Sequence, residues 1–289
     1  MSDKTIRREA FAKINLGLDV VRRLPNGYHE VRMIMQTVGI CDVLTFRKAA
    51  SGIQLIVDKE ELPSDQNNLI YKAAKLLMDT AGISDTKGVC ITLEKHIPIA
   101  AGMAGGSTDA AAALLGINEL YEIGYDVDKL KELGVKIGAD VPYCIQGGTA
   151  LAEGIGEVLS VLPTPPACHL VIVKPDINVS TKFVYENLKA NELESHPDID
   201  GMIEGLEKGD LKAITDRLAN VLETVTVPAY PIIDEIKQSM LDAGAEGALM
   251  SGSGPTVFGI FTELEKAKQA AKRIEDAELA KQVFVTAFC

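Results

Sequence analysis

The sequence predicts an α+β protein of two domains, and three observations support this. The chain has 289 residues, which is long for one compact core and sufficient for two domains of ordinary size. Strand-like and helix-like segments follow one another without the strict alternation of a doubly wound sheet. Two prolines in TPPAC, residues 164–168, mark a boundary. We therefore expect one domain over residues 1–163 and a second over 164–289.

The first 60 residues alternate as β-strands do. In AKINLGLDVV one face of the predicted strand is apolar and the other is polar. The apolar face holds Ile14, Leu16, Leu18 and Val20, and the other holds Lys13, Asn15, Gly17 and Asp19. The turn PNGYHE at 25–30, in which Gly27 can take a positive φ, leads to further strands at 31–40, 42–49 and 53–58.

Helical periodicity first dominates over residues 67–83. This predicted helix has an apolar stripe made of Ile70, Ala73, Ala74, Leu77 and Ala81, and Gly82 is placed to end it. The remaining predicted elements are, in order, a strand at 88–98, helices at 108–121 and 126–136, a hairpin at 148–162, a strand at 169–175, helices near 180–189, 198–222 and 230–243, two strands around 250–261, a helix at 263–276 and a final strand at 282–288.

Composition excludes several classes of function. The net charge is −12 and Trp is absent, so binding to nucleic acid is not expected. The N-terminus lacks a signal-peptide core and no window has the length of a membrane span, so we expect a cytoplasmic protein without membrane association. The five cysteines form no C-x-x-C pair, which indicates neither a zinc site nor a disulfide framework. No protein metal ligands are assigned.

A glycine-rich segment, PIAAGMAGGSTDAAAALL at 98–115, precedes an alanine-rich helix. Gly102, Gly105 and Gly106 would let phosphate oxygens approach the N–H groups of the helix start, where Ser107 or Thr108 could cap the helix or offer a hydroxyl. Ser107 stands where a Walker A loop needs Lys, and the glycine spacing does not fit a dinucleotide fingerprint. Loop chemistry alone leaves phosphate binding and a purely structural turn both open.

Two other glycine clusters accompany this loop. MSGSGPTVFGIF, at 250–261, is a small-residue turn between apolar runs and is also typical of a tight strand connection. GADVPYCIQGG, at 138–148, places the carboxylate of Asp140 in an apolar segment. Val141 precedes a proline and is biased away from helix, so we expect Asp140 beside a chain bend, where most aspartates cap helices or form turns.

These clusters, together with AFAKINLGLDV and LPNGYHEV, resemble the GHMP kinase superfamily and, within it, the kinases of 4-diphosphocytidyl-2-C-methyl-D-erythritol. The resemblance covers nearly the whole chain. It implies a two-domain α+β GHMP kinase architecture, with a ribosomal-protein-like N-terminal domain that carries the glycine loop, an α+β C-terminal domain, and an active site in the cleft between them. Two alternatives are another GHMP kinase, acting on mevalonate, homoserine or a sugar, and a non-catalytic nucleotide-binding protein on the same fold.

The resemblance also implies a reaction and its participants. ATP, accompanied by Mg²⁺, would phosphorylate the 2-hydroxyl of the cytidyl substrate in non-mevalonate isoprenoid biosynthesis, giving the 2-phosphate and ADP. We expect the partner to be a small molecule with a cytidine diphosphate group, and the protein to be a monomer or weak homodimer.

Matching positions imply the site residues. Asp140 would accept the hydroxyl proton, and Lys13 would stabilise charge on the transferred group and supply the cation that the glycine loop lacks. From the residues alone, Lys13 and Asn15 are more typical of a solvated strand face. The implied substrate-binding residues are Asn15, Tyr28, His29, Thr181 and Tyr185. The implied ATP-binding residues are Asn68, Lys95, Pro98, Ile99, Ala100, Ala101, Gly102, Met103, Ala104, Gly105, Gly106, Ser107 and Thr108. Ala104 replaces a glycine of the family pattern, so its φ should be negative or mildly strained.

Overall fold

A computed structural model describes residues 4–289 of the chain. The chain divides into two compact units that interleave along the sequence. Unit 1 comprises the chain up to Ala12, Ile40–Ile97 and Ala104–Gly147, and unit 2 comprises Lys13–Gly39, Pro98–Met103 and Gly148–Cys289. The expected single boundary between residues 163 and 164 therefore differs from this division. The difference arises because two long strands, β1 (Thr5–Arg23) and β2 (His29–Ala49), each contribute residues to both units.

Unit 1 combines the first part of β1 and the last part of β2 with two more strands and four helices. The further elements are β3 (Gly52–Val57), α1 (Leu69–Thr80), β4 (Gly88–Glu94), α2 (Gly105–Leu120), α3 (Val127–Val135) and α4 (Val141–Gln146). β4 lies between β2, with which it pairs antiparallel, and β3, with which it pairs parallel. In the β2–β4 ladder Val43 is opposite Glu94, a register that places Asp42 of β2 near the residues that follow β4.

The core of unit 1 forms where α1 and α2 meet apolar side chains of the sheet. The predicted stripe of α1 is buried at Ile70, Ala73, Ala74 and Leu77. Along α2 the buried run Ala110–Ala113 keeps the helix thin. Gly116 permits the closest approach, because a Cβ there would lie only 2.4 Å from a ring carbon of Phe46 on β2. The small residues of the sequence therefore set how near α2 lies to its neighbours.

Unit 2 contains the remaining elements. They are β5 (Thr149–Glu153), β6 (Val158–Leu162), β7 (His169–Lys174), α5 (Thr181–Asn187), α6 (Ile199–Lys208), α7 (Leu211–Thr215), β8 (Ala219–Asn220), α8 (Glu223–Ala229), α9 (Ile232–Asp242), β9 (Gly247–Met250), β10 (Val257–Phe261), α10 (Leu264–Asp276) and β11 (Gln282–Thr286). β7, β9, β10 and β11 form an antiparallel sheet in the order β11-β7-β10-β9. β5 pairs with β2 and with β6, and β8 pairs parallel with β1.

The predicted elements are confirmed in most of the chain, with three differences. The two strands predicted at 31–40 and 42–49 are one continuous strand, β2. The helix predicted over 198–222 is wrong, because Gly209 takes a left-handed φ of +63° and ends α6, after which the Asp210 side chain caps α7. α4 and α8 lie where no element was expected.

The expectation that Val141 avoids the helix is also wrong. Val141 is the first residue of α4, with Pro142 in the first turn. A proline is tolerated there because the N–H that it lacks would have no partner inside the helix. Within residues 4–289, none of the helices combines the length and apolar character needed to cross a bilayer.

Candidate active site

Lys13 and Asn15 lie on a part of β1 that is buried on both faces. Lys13 is 5% exposed and Asn15 is fully buried, so the interpretation of a solvated strand face is wrong. The Lys13 ammonium donates a hydrogen bond of 2.8 Å to Asn15 Oδ1, and the Asn15 amide group contacts Met33 Sδ at 3.2 Å. Since strand alternation places the two side chains on one face, Asn15 orients Lys13.

The first half of the glycine loop, Pro98–Met103, belongs to unit 2 together with Lys13. The Lys13 backbone N–H donates to the Met103 carbonyl at 3.2 Å. Gly102 has a φ of +72°, and a Cβ at this position would lie 2.5 Å from the Ser251 carbonyl oxygen. Only glycine fits there, because both the backbone conformation and the approach of a second chain segment exclude a side chain.

That second segment is the glycine-serine loop between β9 and β10. Ser251 Oγ donates to the Gly102 carbonyl at 3.0 Å. The loop is itself held by Asn220, whose amide donates to the carbonyls of Met250 and Gly252 at 2.9 and 2.8 Å. The glycine cluster at 250–261 is therefore a strand connection that also supports the first half of the glycine loop.

The second half of the loop, Ala104–Thr108, belongs to unit 1 and opens α2. Ala104 was expected to have either a negative φ or a mildly strained backbone. Its φ is left-handed, at +56°, which is the strained case. α2 begins at Gly105, three residues before its predicted start, and has no side-chain cap. Ser107 and Thr108 therefore lie within the first turn and do not cap it. The first N–H groups of a helix without a side-chain cap are suited to bind an anion.

Lys95, which follows β4, lies between two carboxylates. Its ammonium donates to Asp42 on β2 and, at 3.1 Å, to Asp109 on α2. The three side chains are between 0% and 5% exposed. Asp42 Oδ1 also accepts the backbone N–H groups of His96 and Ile97 at 2.6 and 2.8 Å. We call these three residues, Asp42, Lys95 and Asp109, the Lys95 cluster.

Asn68 and Asp140 stand at the starts of helices in unit 1. Asn68 caps α1 by accepting the Ile70 N–H at 2.9 Å, while its own amide donates to the Pro63 carbonyl. Asp140 precedes α4 and makes no side-chain cap to it. Asp140 and Lys13 fall in different units, so their approach to each other stays a prediction.

All five predicted substrate-binding residues, including Asn15, lie in the chain segments of unit 2. The His29 and Tyr185 rings are in contact, with centroids 5.0 Å apart and planes tilted by 42°. Tyr28 is 60% exposed, which leaves its ring available to a planar ligand. Burial and, after it, the positive charge of Arg23 lower the pKa of His29. A neutral imidazole has one donor and one acceptor nitrogen, as the edge of a nucleobase requires.

Thr181, at the start of α5, connects this group to the glycine-serine loop. Its hydroxyl is hydrogen-bonded to that of Ser253 at 2.9 Å. Unit 2 thus brings Thr181 to the segment that supports the glycine loop. Sequence reasoning missed Ser253, although its place in a small-residue turn marked it as a loop hydroxyl.

The sequence analysis also missed Asp42 and Asp109. Asp109 could have been found, because a carboxylate beside a run of alanines on a buried helix needs a partner. In the part of the chain that the structure describes, no three His, Cys, Asp or Glu side chains group as a metal site.

Family models match both halves of the chain. Residues 68–148 match the GHMP kinases N terminal domain, and residues 202–280 match the GHMP kinases C terminal domain. Together these matches cover more than half of the chain. The first contains the whole glycine loop and Asp140, and the second contains the glycine-serine loop.

Curated relatives match over nearly the full length. A 4-diphosphocytidyl-2-C-methyl-D-erythritol kinase of Lachnoclostridium phytofermentans is 52% identical over 98% of this chain and 97% of its own length. An enzyme of the same name from Lachnospira eligens is 50% identical over 98% of both chains.

Solved structures agree with these relatives. A crystal structure of 4-(cytidine 5'-diphospho)-2C-methyl-D-erythritol kinase superposes with a TM-score of 0.83 at 32% identity, over 98% of this chain and 99% of that chain. A homoserine kinase from Cytophaga hutchinsonii superposes with a TM-score of 0.79 at 22% identity, over 99% and 94% of the two chains, which shows a shared fold.

Proposed function

Because this chain belongs to the GHMP kinases, and within them to the family of the 4-diphosphocytidyl-2-C-methyl-D-erythritol kinases, we propose that it transfers the γ-phosphoryl group of ATP to the 2-hydroxyl of that cytidyl substrate. The products are the 2-phosphate and ADP, in non-mevalonate isoprenoid biosynthesis. The observation that carries the proposal is the 52% identity to such a kinase over 98% of this chain. The buried Lys13–Asn15 pair on β1 supports it from the geometry.

In the proposed mechanism the substrate oxygen attacks the γ-phosphorus while the bond to the ADP oxygen breaks. Asp140 accepts the hydroxyl proton, and Lys13 stabilises the negative charge that the transferred group carries. The hydrogen bond to Asn15 fixes the Lys13 side chain, and the Lys13 backbone is bound to Met103 of the glycine loop. These contacts support a role for Lys13 as the cation that the loop sequence itself lacks.

The N–H groups at the start of α2 would bind ATP phosphate oxygens, because the helix dipole and the lack of a side-chain cap both favour an anion there. Mg²⁺ would arrive with ATP and be bound mainly by phosphate oxygens and water. No step is assigned to a metal held by protein side chains.

The cytidine group would be bound by the aromatic residues of unit 2. Tyr28 would stack on the base through its exposed ring, and His29, held against Tyr185, would hydrogen-bond the polar edge of the base. Thr181 would contact the substrate at the glycine-serine loop, where its hydroxyl meets Ser253.

Release of ADP tests the reaction. With ATP, Mg²⁺ and 4-diphosphocytidyl-2-C-methyl-D-erythritol, we expect turnover by the wild type and a loss of kcat of at least about 100-fold in Asp140→Asn, because a general base is removed. The matched control is Asp128→Asn, which changes an exposed aspartate of unit 1 and should retain full activity. An inactive wild type would refute the proposed substrate, and full activity of Asp140→Asn would refute the role of the base.

Removal of an aromatic ring tests the cytidine assignment. In Tyr28→Ala the KM for the cytidyl substrate should rise roughly tenfold, because base stacking is lost, while the KM for ATP stays within about twofold. An equal rise of both KM values would contradict the assignment of Tyr28 to cytidine.

A further inference from the structure

The Lys95 cluster places two carboxylates on one buried ammonium. Asp109 Oδ2 accepts from Lys95 at 3.1 Å and Asp42 Oδ2 accepts from the same nitrogen. If both carboxyls were ionised, three buried groups would carry a net charge of −1. Burial of an uncompensated charge is costly, so the geometry favours one neutral carboxyl in the cluster.

The hydrogen bonds identify which carboxyl is neutral. Asp42 Oδ1 accepts two backbone N–H groups in addition to the contact of Oδ2 with Lys95, and hydrogen bonds of this kind favour the ionised form. Asp109 Oδ1, by contrast, is buried and has no hydrogen-bond partner within residues 4–289. Burial raises the pKa of Asp109 to about 8; the Lys95 charge acts against this rise, and the Asp42 charge and a hydrogen bond to Asp42 add to it.

The cluster lies against the first turn of α2. A Cβ on Gly105, the first residue of this helix, would be 2.9 Å from Lys95 Nζ. Asp109 itself is the fifth residue of α2, one turn after Gly105. A change of charge on Asp109 therefore occurs next to the backbone N–H groups that the proposed function assigns to phosphate.

We propose that Asp109 is a positioning residue for ATP: as a neutral carboxyl it holds Lys95 against the first turn of α2, and its ionisation weakens the binding of phosphate at that turn. The inference rests on the proposed function in taking ATP as the ligand. In the neutral form the cluster has no net charge. In the ionised form it adds one negative charge beside the phosphate-binding N–H groups.

Several ionisable groups lie on the elements around Asp109. β2 contributes Asp42, and the segment after β4 contributes Lys95. Asp58, after β3, accepts the Lys95 backbone N–H at 3.0 Å. α1 and α4 pack against α2 with apolar residues such as Leu69 and Val141, and Asp140 precedes α4.

The experiment measures the Kd of ATP with Mg²⁺ and no cytidyl substrate, by isothermal titration calorimetry at pH 7 and pH 9 and constant ionic strength. With a pKa of about 8, Asp109 is mostly neutral at the first pH and mostly ionised at the second. We expect the wild-type Kd to rise about fivefold between them. Asp109→Asn, whose amide imitates the neutral carboxyl, should match the wild type at pH 7 within about twofold and show no rise at pH 9.

Two further variants separate the cluster from other causes. In Asp42→Asn, Asp109 becomes the counter-ion of Lys95 and ionises at lower pH, so the rise between pH 7 and pH 9 should disappear. Asp79→Asn, at an exposed position on α1, should keep the wild-type rise. The change in the wild-type Kd of ATP between pH 7 and pH 9 is itself a test, which does not require every variant to fold.

Three outcomes would overturn the inference and leave the proposed function intact. A wild-type Kd that does not change between pH 7 and pH 9 would exclude a titrating group beside the phosphates. A rise that persists in Asp109→Asn would assign the effect to another group. Weak binding of ATP by Asp109→Asn already at pH 7 would show that Asp109 acts as an ionised residue. Absence of ATP binding at every pH would refute the proposed function itself, and the inference with it.

Discussion

Two buried lysines, Lys13 and Lys95, lie in contrasting surroundings. The Lys13 ammonium, on β1, donates to the neutral amide oxygen of Asn15, whereas the Lys95 ammonium lies between the carboxyls of Asp42 and Asp109. A neutral acceptor orients a cation and leaves its charge unchanged, but an ionised acceptor cancels that charge. The contact with Asn15 is therefore suited to a lysine that acts on a ligand, and the Lys95 cluster to a lysine that holds the fold.

Each half of the glycine loop lies near one of these two lysines. The first half is bound to the Lys13 backbone and to Ser251, and the second half begins α2 beside Lys95. Lys13 and Lys95 were both predicted as site residues, on the basis of the same family resemblance. From the contacts of the two side chains we propose different tasks for them.

The largest effect is expected from Lys13→Met. We expect kcat to fall by about 100- to 1,000-fold, because a preorganised cation is lost from the transferred phosphoryl group. We expect stability to change less than activity, since methionine retains the apolar stem of the lysine at this buried position. ADP release and urea unfolding measure the two quantities. A variant that unfolds but keeps the kcat of its folded fraction would reverse the assignment.

Lys95→Met should show the opposite result, with stability more affected than activity. Removing the ammonium leaves two buried carboxyls without their common partner, and the free energy of unfolding should fall by about 3–5 kcal/mol. Urea unfolding measures the loss. Lys75→Met, which removes an exposed lysine of α1, is the matched control and should unfold as the wild type does. A Lys95 variant of wild-type stability would contradict a structural role for the cluster.

Two neighbouring glycines test how tightly Lys95 is held. Gly105→Ala would place a Cβ 2.9 Å from Lys95 Nζ, and because two carboxyls fix that nitrogen, the free energy of unfolding should fall by about 1–3 kcal/mol. Gly106→Ala meets only Leu69, at 3.3 Å, and alanine is the better helix former, so it should be tolerated or slightly stabilising. Equal losses in thermal unfolding would mean that Lys95 can move aside.

Much of the fold could be predicted because its signals are local. The hairpin of β5 and β6 and the strands of the four-stranded sheet follow from alternating or continuous apolar runs bounded by glycine and proline. The break at Gly209 was missed because apolar periodicity continues on both sides of it, although a glycine followed by a capping aspartate is a local signal for the end of one helix and the start of another. α4 was missed because Val141, which precedes Pro142, was expected to avoid the helical conformation, whereas it is the first residue of the helix.

The site shows the same limit. Glycine spacing identified the loop, and the family resemblance supplied Lys13 and Asp140. The Lys95 cluster could not be predicted, since its members are brought together by strand register across 53 residues and by the packing of α2. Pairing of Val43 with Glu94 places Asp42 beside Lys95, and no local pattern in the sequence encodes that pairing.

The last prediction exchanges the surroundings of the two lysines. Asn15→Asp has nearly the same shape but places a carboxylate beside Lys13, where the wild type has an amide 2.8 Å from the ammonium. The added carboxylate would draw the Lys13 ammonium away from phosphate, and kcat should fall about tenfold, with ATP binding also weakened. Asp109→Asn, the reverse change in the Lys95 cluster, should leave kcat at pH 7 nearly unchanged. Equal effects of the two substitutions on kcat would contradict this comparison. The roles of Lys13 and Lys95 would then not depend on whether the partner is an amide or a carboxyl group.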